Sequence, residues 1–165
     1  MLNFNYIVVI VTTIIPVLFA KIWFSESTRS FFMLAPLNRK NDSSNKSILF
    51  YAIIILLSLF FSISMHFQVI HQFHFKSMFL DEVGFNESQG SAFKAFEYIM
   101  DSYGDKYRTY GHGMFHGLLN AIFIVLPILF LFKIEFNFTK KALLYYWLYF
   151  ALTMMIVGSI ICHFT

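Results

Sequence analysis

The sequence predicts an all-α membrane protein: a bundle of four transmembrane helices with an amphipathic helix in its outer loop. Three observations carry that prediction. Of 165 residues, 58% are hydrophobic and only 13% charged, where an ordinary soluble domain is about 25% charged. No Asp, Glu, Lys or Arg occurs in residues 1–20, 47–75, 109–132 or 142–165. Each of those windows reaches the roughly 20 apolar residues that a helix needs to cross the hydrocarbon core. This composition excludes a soluble enzyme and a nucleic-acid binder. With Cys162 the sole cysteine, it also excludes a disulfide-stapled secreted scaffold.

The spans are expected at about 6–24, 48–70, 114–132 and 143–162, within a single integral-membrane domain covering 1–165. The first lacks a basic leader and a small-residue cleavage site, so it reads as a retained anchor. Trp23 and Phe24 close it with the aromatic side chains that favour a membrane interface. Residues 41–47 (NDSSNKS) form a polar linker before the second span. In the loop 71–111, Phe93, Phe96, Met100 and Tyr103 recur at helical spacing, with Lys94, Glu97 and Asp101 mostly opposite. That pattern predicts an amphipathic helix lying on the interface or capping the bundle, ended by Gly104. Pro16 and Pro127 fall inside spans one and three, where a lost backbone bond can kink a helix. Tyr145, Tyr146 and Trp147 open span four as a second aromatic belt.

Charge sets the expected orientation. The loops after spans one and three carry Lys21, Arg29, Arg39, Lys40, Lys46, Lys133, Lys140 and Lys141 against Glu26, Asp42 and Glu135. The middle loop carries Lys76, Lys94, Lys106 and Arg108 against Asp81, Glu82, Glu87, Glu97, Asp101 and Asp105. Basic residues are retained on the cytoplasmic side. Both termini and loop 71–111 are therefore expected outside.

All six histidines fall on that outer side: His66, His71 and His74 around the end of span two, His112 and His116 at the start of span three, and His163 after span four. His112 and His116 are four apart, so their imidazoles stack on one helical face, which Asn120 extends. Joined by His71 or His74, they make a candidate tri-histidine site for a metal or haem. The plainer alternatives are imidazoles bonded to neighbouring backbone, or a pH-responsive contact. Gly113 and Gly117 form a GxxxG face rotated about 100° from the histidines, a device for close helix packing, and Gly158 and Cys162 repeat the small-residue spacing on span four. Arg108, among Tyr107 and Tyr110, is a candidate grip for a lipid phosphate, or else an interfacial anchor or a partner of Asp105. No carboxylate or amine lies deep in any span, as coupled transporters and proton pumps usually require.

Several stretches resemble one known family. They are Asn5-Tyr6 followed by Pro16 and Ala20-Lys-Ile-Trp23-Phe24; Val69-Ile70-His71-Gln72; Tyr103-Gly104-Asp105-Lys106-Tyr107-Arg108-Thr109-Tyr110 followed by His112-Gly113-Met-Phe-His116-Gly117; and Gly158-Ser-Ile-Ile-Cys162. In this order they resemble the uncharacterised bacterial integral-membrane family called domain of unknown function 1761. Ala20 stands where that family has glycine, and Phe24 where it has tyrosine. The resemblance implies four helices in a bacterial inner (cytoplasmic) membrane, and it implies no activity.

Three functions compete at this point. The leading one is a non-enzymatic structural or accessory subunit, embedded in the lipid bilayer and packing with itself as a homo-oligomer or within a larger membrane complex. The second is a metal- or haem-binding protein using His112 and His116 with His71 or His74. The third is passive transport or lipid handling through the bundle, past Asn120.

Overall fold

The computed structural model describes residues 5–34 and 48–165; Arg39, Lys40, Asp42, Lys46 and the 41–47 linker lie outside the described residues. The order of elements is α1 (Tyr6–Trp23), α2 (Glu26–Phe31), α3 (Ile48–Val69), α4 (His71–Ser77), α5 (Ser91–Tyr103), α6 (Tyr110–Asn120), a π turn (Ala121–Val125), α7 (Leu126–Glu135) and α8 (Lys140–Phe164). Among the described residues, four helices are long and apolar enough to cross a membrane: α1, α3, the continuous run Tyr110–Glu135, and α8. The third starts four residues before the expected 114. Its first turn is rich in glycine and histidine, which lowers its hydropathy, but Thr109 caps it by accepting the His112 amide at 3.2 Å and so starts the helix early.

α8 is the hub. Half of its span is buried inside the bundle, against 17% for α3 and for the third span, and it packs on α1, α3, α6 and α7. Val157, Ile161 and Cys162 of α8 meet Val8, Met65, Val69 and Ile70 in one core cluster. Outward-facing Ile14, Leu57, Phe123 and Leu131 are exposed, which in water would be costly and in lipid is the favoured arrangement. Inside, the Thr12 and Ser62 hydroxyls bond each other at 2.5 Å, and Ser62 also donates to the Val9 carbonyl at 3.1 Å. Hydroxyls at that depth are thus satisfied by neighbouring helices.

Paired contacts pin α1 antiparallel to α8. Asn5 caps α1 by accepting the Val8 amide, and its Nδ2 donates to the Phe164 carbonyl at 3.0 Å. At the far end, Trp23 Nε1 donates to the Tyr145 carbonyl at 3.2 Å while the Tyr145 hydroxyl donates to the Trp23 carbonyl at 2.6 Å. Trp23 is therefore half-buried in an aromatic cluster with Phe19, Phe32 and Tyr145 as well as lying at a helix end.

The two prolines act differently. α1 runs unbroken through Pro16, whose carbonyl accepts the Tyr149 hydroxyl at 2.9 Å. Pro127 has no N–H to offer the preceding turn, and the chain widens into the π turn just before it. The Ala121 carbonyl in that turn takes a bond from Trp147 Nε1 at 3.0 Å.

The closest helix pair is α6 on α8. A Cβ at Gly113 would meet the Gly158 carbonyl and lie 2.6 Å from Cys162 Cβ, and one at Gly117 would lie 2.7 Å from the Met155 nitrogen. The GxxxG face is thus filled from within the same chain. It is not available to a second copy.

Candidate metal centre

Because Gly113 and Gly117 face α8, the adjacent face of α6 carrying His112 and His116 turns toward the end of α3. There α3 stops at Val69. Ile70 takes an extended conformation (φ −93°, ψ 91°) with no side-chain cap, held in place because its side chain is only 1% exposed. The chain restarts as α4 with His71 as its first residue, and this break aims His71 at the two imidazoles of α6.

The result is a tight triad. His71 Nε2 lies 3.0 Å from His116 Nε2, which lies 3.1 Å from His112 Nε2. One ring nitrogen from each residue falls within 4.8 Å of the others. Bonds of about 2.05 Å to one ion place tetrahedral donors ~3.3 Å apart, so the two shorter spacings are close to those of donors sharing one metal. A ring nitrogen holds either a proton or one lone pair. His116 Nε2 therefore cannot donate to one neighbour while accepting from the other, whereas a cation takes a lone pair from all three. Haem iron takes at most two protein donors, so a haem held here would leave one of the three imidazoles unused.

Burial first, and then the neighbouring His112 and His74, push the His71 pKa below the ordinary imidazole value. The neutral form that ligates metal is thereby favoured. His74 sits one turn further along α4, exposed, and is not one of the three convergent donors. His66 is buried in the bundle, its ring nitrogens near the Ser62 carbonyl (3.2 Å) and the Thr165 hydroxyl (3.3 Å). His163 stacks on Tyr110 at 3.9 Å between ring centroids. All six imidazoles lie at the end of the bundle where α3 and α8 finish and α6 begins.

Comparison of the chain with protein-family models, with curated proteins and with solved structures finds no match.

Around the triad the chain supplies a shaped wall. Tyr107 stacks on His112 at 5.6 Å and 26°, and the Gln72 side-chain amide donates to the Gly104 carbonyl, tying α4 to the turn before α6. Neither residue stands out by type or spacing, because their roles depend on the irregular path of residues 104–109. Arg108 is held on two sides: Nε lies 3.1 Å from Asp105 Oδ1, and Nη1 donates to the Thr165 carbonyl at 2.7 Å. It fastens the start of α6 to the end of α8. Asn120, one turn below His116, ends α6 at the junction with the π turn.

Proposed function

We propose that this multi-pass membrane protein binds one late first-row transition-metal ion, of the Zn²⁺ type, through His71, His112 and His116. The convergence of one ring nitrogen from each of three histidines within 4.8 Å carries this reading. Imidazole suits zinc, copper, nickel and iron. Three protein donors leave a fourth position open, the pattern of reactive rather than purely structural zinc sites. By the positive-inside argument, Lys21, Arg29, Lys133, Lys140 and Lys141 belong to the cytoplasmic end, so the metal faces the outer side of a bacterial inner membrane, in keeping with the resemblance to domain of unknown function 1761. Of the features behind the accessory-subunit alternative, the glycine face is covered by α8.

The test is metal content and affinity of detergent-purified, chelator-treated protein. One equivalent of Zn²⁺ per chain is expected, lost in His116→Ala, whose fold is checked by its helical circular dichroism. Unaltered protein that takes up no ion refutes the reading. A single cysteine placed at exposed Gln89, in a Cys162→Ser background, should be labelled from outside intact cells.

A further inference from the structure

Two members of the triad, His71 and His112, border a cavity of about 170 Å³. Ile70 and Phe75 wall one side, Ile99, Met100 and Tyr103 of α5 roof it, and His71 and His112 stand at its edge with Arg108. α5 thus turns part of its apolar face toward this space, while Phe96 of the same helix packs with Phe75, Phe79 and Phe85. A dry cavity of ~150 Å³ accommodates a benzene-sized molecule, so the available volume is that of one aromatic ring or a short acyl segment. The chemistry of the edge is different from that of the walls. Three neutral imidazoles leave both charges of a divalent ion uncompensated, while the Arg108 guanidinium at the same edge is already taken by Asp105 and the Thr165 carbonyl. A ligand matching both parts has an apolar body and an anionic oxygen head.

We propose that this cavity binds a small carboxylate with a ring-sized or short acyl body, its apolar part beneath α5 and one carboxylate oxygen on the open position of the metal. This rests on the tri-histidine metal reading. The same chemistry is presented by a free small carboxylic acid and by the head of a membrane fatty acid. A fatty-acid tail longer than the cavity must leave it toward the bilayer, so the two sources differ in chain-length dependence.

Cobalt substitution makes the site visible, because the Co²⁺ absorption spectrum reports ligand exchange at the ion. Co²⁺-loaded protein is titrated with benzoate, hexanoate and palmitate. The expected result is a saturable spectral change with benzoate or hexanoate. Ile99→Trp, which fills the cavity from the roof and touches no metal donor, weakens it at least tenfold and leaves Co²⁺ uptake unchanged. Ile99→Phe, a smaller intrusion, gives an intermediate loss and serves if the tryptophan variant misfolds. Tighter binding of palmitate than of hexanoate identifies a membrane lipid as the source, and the reverse identifies a soluble acid. Co²⁺ uptake without any carboxylate response, or with a response indifferent to both variants, overturns the cavity proposal and leaves the metal site standing. Failure of Co²⁺ and Zn²⁺ to bind at all overturns both.

Discussion

Replacing Gly117 by alanine tests whether helix packing holds the metal donors in place. The added Cβ would lie 2.7 Å from the Met155 nitrogen and closer still to the Met154 carbonyl. Comfortable contacts between such atoms begin near ~3.5 Å. Both obstacles are backbone, so no side chain can swing aside, and α6 must back away from α8 by about 1 Å. Forced overpacking of this kind typically costs about 1–3 kcal/mol. The displacement also carries His112 and His116 away from His71, which is fixed by the separate break at Ile70. Metal sites tolerate distances within about 0.2 Å, so a shift near 1 Å exceeds the tolerance several-fold. A fall in Zn²⁺ affinity of about 10–100-fold is expected, the range seen when the supports of metal ligands are disturbed. Chelator competition measures the affinity and thermal unfolding in detergent measures the packing. Gly117→Ala protein with both unchanged would refute the claim that the α6–α8 contact positions the donors.

Other substitutions separate donors from bystanders. His112→Ala and His71→Ala should each lower Zn²⁺ affinity at least 100-fold by removing a donor outright, whereas His74→Ala and His163→Ala should bind like the unaltered chain in the same competition assay. Acidification acts through the neutral-imidazole requirement. A His71 pKa below its unfolded value means that the unfolded chain takes up the proton first, so metal-free stability is full above about pH 6.5 and declines as pH falls through the folded pKa. Thermal unfolding should therefore show a larger loss between pH 7.5 and 5.5 in the unaltered protein than in His71→Gln. Trp147→Phe leaves the Ala121 carbonyl of the π turn without its side-chain donor and should cost about 1 kcal/mol in thermal stability, with Zn²⁺ affinity unchanged. Equal destabilisation by Tyr146→Phe would show that the hydrogen bond is not responsible.

The spans were readable because an uncharged run of about 20 residues has few other stable homes, and α5 because its apolar positions repeat at the helical period. The grouping of imidazoles at one end followed from hydropathy alone: each histidine lies at or just beyond the same end of an apolar run. Which of His71 and His74 joins His112 and His116 was not readable. That depends on the helical phase after Ile70, an apolar residue with no capping chemistry, whose extended conformation is imposed by burial. The glycine face was legible as a packing device, and the small-residue spacing of Gly158 and Cys162 already pointed to span four, where α8 packs against it. A pairing of Arg108 with Asp105 was one of the roles open to it from sequence. Its bond to Thr165 joins residues 57 apart in sequence and leaves no local signature.

The π turn has a consequence for the register of the third span. Five residues occupy a stretch where regular helix has room for four, so every side chain beyond Val125 is rotated about 100° from its place on an uninterrupted helix. Leu129, the buried residue of α7, faces inward on account of that extra residue. A chain shortened by one position between 121 and 125 would keep its hydropathy and its length across the bilayer, yet present Leu129 to lipid. Indel tolerance in this protein is thus governed by angular phase rather than by span length.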